Sequence, residues 1–198
     1  MNRIFKIFLL VVTVLIAPRA MAADVWRLAP EKSTLTFFVR TTLHDVHGKA
    51  QTMSGSFAGG ASSAGAATAG AASAGAVDLA VAGLTTDNKG RDVNMYRMFN
   101  EPKYKDIHFA FGSPDLSALA AKGEGTILIP GTMTIHNITH PVTLTATGRL
   151  AGGTLTCEGA FDIHLKDYDL HPPTVLMMIR VADLVNVKYA MVFTRGDQ

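Results

Sequence analysis

Histidine is the residue type in this chain best suited to acid–base or metal chemistry, and the sequence contains seven. His44 and His47 are the closest pair, with Asp45 between them, and a turn could bring their imidazoles together. A zinc site needs a third or fourth ligand. Most of the other histidines fall on the polar face of predicted strands, so solvent-facing imidazoles are favoured and no metal site is predicted.

Nucleophilic catalysis has little support in the sequence. There is no G-x-S-x-G motif. The single cysteine, Cys157, lies an even number of residues from Leu155 and Phe161, so it shares their apolar strand face. This position favours a buried thiol over a reactive one, and a single cysteine excludes an intramolecular disulfide. No phosphate loop or dinucleotide fingerprint is present. The sequence therefore predicts no catalytic residues and favours a binding protein over an enzyme.

Arg91 and Asp92 form an adjacent polar pair with two interpretations. They lie near the start of a helix predicted from about Lys89 to Phe99, which follows the capping side chains of residues 85–88. An aspartate in the first turn complements the positive end of the helix dipole, which favours a structural role. The alternative is a pair that lines the mouth of a cavity.

The clearest structural signal is a hairpin in the segment GTMTIHNITHPVTLTATG, Gly131 to Gly148. Met133 and Ile135 alternate with polar residues in the first arm, and apolar residues alternate with threonines in the second. A period of two predicts an antiparallel strand pair with one apolar face. We expect Asn137-Ile138-Thr139 to lie between the arms.

The same alternation recurs along much of the chain. About eight or nine strands and one helix near residues 89–99 predict a mainly β fold, either a sandwich or a closed antiparallel barrel. The interior of a barrel of about eight strands is filled by side chains or holds one small ligand, and alternation alone does not distinguish these cases. Besides the hairpin, the predicted strands are Val25–Leu28, Ser33–Leu43, Lys49–Phe57, Val77–Ala82, Ile107–Phe111, Thr126–Ile129, Thr154–Leu165 and Val185–Phe193.

The segments between the strands carry weaker signals. We expect a turn at His44–Gly48, a loop at Ser113–Gly125, a bulge at Pro130 and an irregular crossover from Asp167 to Met178. Residues 58–76 are almost wholly Ala, Gly, Ser and Thr. Such a segment buries too little apolar area to offset its ordering entropy, and its glycines argue against a helix, so a flexible loop is predicted.

Residues 1–22 have the three regions of a cleaved signal peptide: a basic start, an apolar run and the small residues Ala20-Met21-Ala22. The apolar run of eleven residues is short for an uncleaved anchor. Removal of residues 1–22 lowers Lys plus Arg from 18 to 15 against 16 Asp plus Glu, so the formal charge changes from +2 to −1. Without a basic excess, a nucleic-acid partner is not predicted. Residues 23–198 fit one domain.

Several separated stretches resemble the YceI-like family of exported proteins that bind lipids and polyisoprenoids. The resemblance spans nearly the whole chain after residue 22, and its pieces follow one another in the family's order. The stretches are Trp26-x-Leu28-x-Pro30-x-x-Ser33-x-Leu35-x-Phe37-x-Val39-Arg40, Thr86-x-Asn88-x-x-Arg91-Asp92, Met98-Phe99, Tyr104-x-x-Ile107-x-Phe109, the hairpin at residues 131–144, Phe161-x-Ile163-x-Leu165-Lys166-Asp167-Tyr168 and Asp183-x-Val185-x-Val187.

The chain departs from the family pattern at four polar positions. Ala29 replaces a frequent acidic residue, while Lys32, Thr41 and Asn94 stand where members often have histidine. These departures change the polar contacts available to a headgroup and leave the apolar positions intact.

The resemblance implies a lipocalin-like antiparallel β-barrel of about eight strands that encloses a long isoprenoid chain, such as a quinone tail or a polyprenyl compound. It implies no cofactor and no catalytic residues. An apolar tunnel would bind such a chain by removing its surface from water, and methionine adapts to an irregular ligand. The expected ligand-binding residues are Phe37, Val39, Phe57, Met98, Phe99, Phe109, Phe111, Met133, Ile135, Phe161 and Ile163, with Arg91 and Asp92 near the mouth.

These observations predict a periplasmic carrier or sequestering protein for an isoprenoid lipid or quinone. Two alternatives are an enzyme that acts on a lipid inside the barrel and a ligand-free, stress-related module that acts through protein partners. A transient membrane contact and a dimer are both compatible with the sequence. The chain length and headgroup of the ligand are not determined by it.

Overall fold

The computed structural model describes residues 25–59, 75–112, 114–172 and 180–196. The predicted signal peptide of residues 1–22 lies outside these ranges, as do residues 60–74 of the predicted loop and residues 173–178 of the predicted crossover. At the ends of the predicted loop, Ala58 belongs to one strand and Gly75 to the next. The two strands therefore extend one or two residues into the segment predicted as a loop.

The described residues form eleven strands and two α-helices, joined in places by short 3-10 turns. In chain order these elements are β1 (Val25–Leu28), β2 (Thr34–Thr41), β3 (Val46–Ala50), β4 (Met53–Ala58), β5 (Gly75–Ala80), β6 (Leu84–Thr85), α1 (Lys89–Phe99), β7 (Asp106–Phe111), α2 (Ser117–Lys122), β8 (Glu124–Ile135), β9 (Ile138–Ala151), β10 (Thr154–His164) and β11 (Val181–Arg195).

The eleven strands occupy eight positions around a closed antiparallel barrel. The long strand β11 pairs with β2 through its first half and with β1 through its last residues. Strands β3 and β4 pair with β2 and β1 and, on their other side, with β6 and β5. Three barrel positions are therefore strands interrupted by a short break. The ring continues through β7, β8, β9 and β10 back to β11, which confirms the predicted barrel.

The β8–β9 hairpin is longer and tighter than the sequence indicated. Its register runs without a shift from Glu124 opposite Arg149 to Ile135 opposite Ile138. The turn is His136-Asn137, with φ values of 52° and 65°, and two consecutive positive φ values are typical of a type I′ turn. The expected Asn137-Ile138-Thr139 connection was wrong, because Ile138 already belongs to β9. The expected bulge at Pro130 was also wrong, since Pro130 lies in regular register opposite Thr143.

Two other connections were mispredicted. Strand β3 begins at Val46, inside the segment predicted as a turn, because Val46 is buried in the barrel. The predicted loop Ser113–Gly125 contains helix α2, which ends at Gly123 with a φ of 78°. Its alanines and leucine are strong helix formers, and Leu119 is only 1% exposed. The helix therefore closes one end of the barrel.

Helix α1 begins and ends where the sequence predicted. The Asn88 side chain accepts a hydrogen bond from the Arg91 amide, and Asn100 ends the helix in the left-handed conformation. The helix buries Asp92 and Phe99, which are spaced seven residues apart and share one face, whereas Val93 lies off this face and is 52% exposed. In the described part of the chain, neither helix is long and apolar enough to cross a bilayer.

Candidate functional site

The barrel interior is hollow at the end covered by α1. A cavity of about 460 Å³ lies there, which is within the range of small-molecule pockets. A second cavity of about 90 Å³ lies deeper, towards α2. The two share five lining residues, so they are adjacent parts of one interior: Leu35, Leu79, Ile107, Met133 and Phe161. We call the larger cavity the chamber.

The residues expected from the sequence to bind ligand fall at three depths. Seven line the chamber only: Phe37, Val39, Arg91, Met98, Phe99, Ile135 and Ile163. Two line both cavities: Met133 and Phe161. Three line only the small cavity: Phe57, Phe109 and Phe111. Asp92 lines neither cavity.

The deep phenylalanines form a packed floor. The Phe57 ring lies 5.9 Å from Trp26, 6.0 Å from Phe111 and 5.2 Å from Phe193, measured between ring centroids. These are the separations of interacting aromatic pairs. Phe57 is 3% exposed and Trp26 is 1% exposed. The structure therefore places Phe57 and Phe111 in the hydrophobic core beneath the chamber.

Asp92 anchors the start of α1. Its carboxylate accepts hydrogen bonds from the Thr86 amide at 2.8 Å, the Thr86 hydroxyl at 2.6 Å and the Thr85 hydroxyl at 2.8 Å. Burial raises the pKa of this carboxyl, but the Thr86 and Thr85 hydrogen bonds and the Arg91 charge outweigh burial, so the pKa lies below its usual range. Asp92 thus joins β6 to α1 in its charged form.

Arg91 lines the chamber and is held in place by two hydrogen bonds. Its Nη1 donates to His44 Nε2 at 3.2 Å, and its Nη2 donates to the Thr86 carbonyl at 3.3 Å. Its Nε is buried and has no hydrogen-bond partner among the described residues. No carboxylate of the described residues forms a salt bridge with Arg91. Each terminal nitrogen of a guanidinium carries two N–H groups, so the group could also donate to an acceptor atom of a ligand.

The mouth of the chamber lies beside Arg91. Three of the lining residues there, His44, Asn88 and Gly90, are exposed to solvent. Asn94 and Thr41, which replace frequent family histidines, also line the chamber. The cavity thus has a polar rim at the α1 end and apolar walls below it.

The sequence did not single out several residues that line the chamber. Val185 and Val187 belong to a recognised alternating strand, so their inward direction was available from the pattern. Met95 lies one helical turn after Arg91, and this spacing could have found it. Leu170 lies beyond the 3-10 turn Leu165–Tyr168, where no periodic signal exists. It is 1% exposed and closes the wall from outside the strands.

A glycine determines how one wall residue lies. Gly48 is opposite Phe37 in the β2–β3 pair, and a Cβ at Gly48 would overlap the Phe37 ring. The absence of a side chain at Gly48 therefore lets the ring lie across β3. The Phe37 ring thus packs over Gly48 and forms part of the chamber wall.

The histidines do not assemble into a metal centre in the part of the chain that the structure describes. No group of three or more His, Cys, Asp or Glu side chains is placed to hold a metal ion there. Cys157 is buried, and burial raises the pKa of its thiol to about 12. The thiol is therefore protonated at neutral pH.

Comparison with solved structures identifies the same fold in three bacterial proteins. A polyisoprenoid-binding domain from Saccharophagus degradans, implicated in plant cell wall breakdown, aligns with a TM-score of 0.70 and 17% identity, covering 86% of this chain and 98% of that domain. BcnA from Burkholderia cenocepacia aligns with a TM-score of 0.62 and 17% identity, covering 83% of this chain and 98% of BcnA. A YceI protein from Campylobacter jejuni aligns with a TM-score of 0.58 and 16% identity, covering 79% of this chain and 88% of that protein.

Sequence comparison assigns the family. A search of curated proteins gave no significant match. A model of the YceI-like domain matches residues 26–193, which include every strand of the barrel except the ends of β1 and β11. The chain therefore belongs to the YceI-like family.

Proposed function

We propose that this protein binds a long-chain isoprenoid lipid, a quinone or a polyprenyl compound, and acts as a periplasmic carrier or sequestering protein. The observation that carries the proposal is the apolar chamber with the Arg91 guanidinium at its mouth. The similar domain from Saccharophagus degradans is described as polyisoprenoid-binding. Residues 1–22, with the form of an export signal, support a periplasmic location. Binding without chemical turnover is part of this proposal.

The driving force is the burial of hydrocarbon. Each buried CH₂ contributes about 0.8 kcal/mol, so a five-carbon isoprene unit contributes about 4 kcal/mol. Association costs on the order of 4–15 kcal/mol in lost motion. About one to four isoprene units must therefore be buried before binding becomes favourable, and a single small headgroup is not enough. The chamber volume suits a ligand of this size.

The polar end of the ligand is oriented by Arg91. The Arg91 guanidinium is a donor that lines the chamber, and carbonyl, hydroxyl and phosphate oxygens all accept hydrogen bonds from such a group. A guanidinium favours oxygen atoms that carry full or partial negative charge. A quinone carbonyl or a polyprenyl phosphate therefore fits the mouth, with the isoprenoid tail in the chamber.

A tryptophan that fills the chamber tests this function. Val185 lines the chamber, whereas the preceding residue on β11, Leu184, is 37% exposed and does not line it. We expect Val185→Trp to weaken binding of a prenylated quinone at least tenfold in a fluorescence titration, because the indole occupies the ligand volume. Leu184→Trp should bind as the wild type does. Equal affinities for all three proteins would contradict binding inside the barrel.

A further inference from the structure

The barrel wall opens between β9 and β10. These strands pair from Ala151 opposite Thr154 to Ala146 opposite Gly159, and no further pairs follow. Beyond this point β9 continues to pair with β8, and β10 continues to pair with β11. Residues 138–145 and 160–164 therefore diverge as the two arms of a fork. We call this opening the fork.

A cleft of about 310 Å³ occupies the fork. Met133, Phe161 and Ile163 form part of its lining and also line the chamber. Val142 lines the cleft and does not line the chamber. The apolar wall therefore continues from the chamber into the gap between β9 and β10, along the inward face of β9.

A side-chain hydrogen bond lies at the base of the fork. The Tyr189 hydroxyl donates to the carbonyl of Thr145, the first β9 residue beyond the last β9–β10 pair, at 3.3 Å. Gly159 makes room for this contact, since a Cβ there would lie 2.5 Å from the Tyr189 hydroxyl oxygen and 2.6 Å from the Thr145 oxygen. The hydrogen bond thus marks the point where the β9–β10 pairing ends.

The outer rim of the fork is polar, and its groups already have partners. His140 donates through Nε2 to the Asp167 carbonyl at 2.8 Å, and Asp162 accepts from the Asn186 amide at 2.6 Å. His164 donates through Nδ1 to Asp183 at 3.1 Å. The described residues that line the cleft include no arginine or lysine comparable to Arg91, and the carboxylates of Asp162 and Asp167 disfavour an anionic headgroup. The headgroup belongs at the α1 mouth.

Among the residues that the structure describes, the lower end of the barrel is filled by side chains. The floor is the aromatic cluster around Phe57, and helix α2 lies below it with Leu116 and Leu119 each 1% exposed. The deeper cavity measures only about 90 Å³. A ligand with its head at Arg91 and a tail longer than the chamber must therefore leave through the side.

We propose that the fork is a lateral exit that receives the distal end of a prenyl chain too long for the chamber. This inference rests on the proposed function and extends it, because it adds a second binding segment for the hydrocarbon. Short tails end inside the chamber, and long tails also contact Val142 and the apolar part of the cleft. Affinity therefore depends on the fork only for long chains.

A chain-length comparison tests the proposal. We measure dissociation constants for two quinones with the same head, one with two isoprene units and one with eight, on wild type, Val142→Trp and Thr143→Trp. Thr143 is the exposed neighbour of Val142 on β9 and is the matched control. We expect Val142→Trp to weaken the eight-unit quinone at least tenfold and the two-unit quinone less than twofold, and Thr143→Trp to change neither. Equal weakening of both quinones, or no change for either, overturns the lateral exit.

Photo-crosslinking of the wild-type protein gives a second, independent result that does not depend on the folding of a variant. An eight-unit quinone with a diazirine at the end of its tail should label residues 138–145 or 160–168. Labelling of the aromatic floor around Phe57 and Phe111 would overturn the proposal. If the wild type binds the two-unit quinone but the tail end labels neither arm of the fork, the chamber function stands and the lateral exit fails. If it binds neither quinone, the proposed function fails as well.

Discussion

Two adjacent residues at the start of α1 have different roles, although the sequence treated them as one pair. Asp92 is 9% exposed and accepts hydrogen bonds from Thr85 and Thr86, whereas Arg91 lines the chamber and donates to His44 and the Thr86 carbonyl. Both interpretations offered for the pair therefore apply, one to each residue. The motif could be located from capping preferences, but the direction of each side chain depends on how the helix packs on β6.

Replacement of Asp92 by asparagine tests its structural role. An amide nitrogen in place of a carboxylate oxygen faces donors from Thr85 or Thr86, so we expect Asp92→Asn to lower the free energy of unfolding by about 1–3 kcal/mol in urea denaturation. Asp106→Asn, an exposed control, should have little effect.

The pH dependence of this difference has a defined sign. Because the pKa of Asp92 is lowered in the folded state, its contribution is fully present above about pH 4 and is lost as the pH falls through the folded-state pKa. The gap between wild type and Asp92→Asn should therefore narrow in acid. A gap that widens in acid, or that is absent at neutral pH, would contradict the assigned role.

Removal of the guanidinium tests the orientation of the ligand. We expect Arg91→Met to weaken a prenylated quinone by roughly 10–100-fold, since a hydrogen bond to a charged group contributes about 1.5–3 kcal/mol. A prenyl hydrocarbon without a headgroup should lose little affinity. Arg97→Met, an exposed position on the same helix, is the matched control. Equal losses for both ligands in calorimetric titrations would show that Arg91 only shapes the mouth.

At the scale of elements, the alternation of apolar and polar residues predicted most of the barrel's strands. Helix α1 and the inward faces of β7, β8 and β10 follow directly from periodicity and capping residues. The misassigned connections have local causes. The type I′ turn at His136-Asn137 lacks the glycine that usually marks it, and the short helix α2 depends on burial of Leu119 against the barrel.

The base of the fork gives a stability prediction at this scale. Gly159→Ala places a methyl group against Thr145 and Tyr189, so we expect a loss of about 1–3 kcal/mol in thermal unfolding. Gly125→Ala is the matched control, because the nearest atom to a Cβ there is the Leu119 Cδ2 at an ordinary 3.5 Å. A Gly159→Ala protein as stable as the control would mean that the Tyr189 contact at the base of the fork does not stabilise the fold.

At the scale of the whole molecule, the barrel is filled at one end and hollow at the other. Alternation predicts which side chains point inward, but it carries no information about depth along the barrel axis. Phe57 and Phe111 therefore looked equivalent to Phe37 and Phe161 in the sequence, although the first two lie in the floor and the last two face the chamber. Only the register of all eight barrel positions separates a core residue from a chamber wall.

The central claim is that the chamber holds an isoprenoid lipid. The most direct measurement is mass spectrometry of the organic extract of the protein purified from the periplasm without detergent, with the stoichiometry checked on the intact complex. We predict one prenyl lipid per chain, depleted in the Val185→Trp protein and retained in Leu184→Trp. An extract free of prenyl lipid, from a protein whose melting temperature does not rise on addition of a prenylated quinone, would contradict the claim.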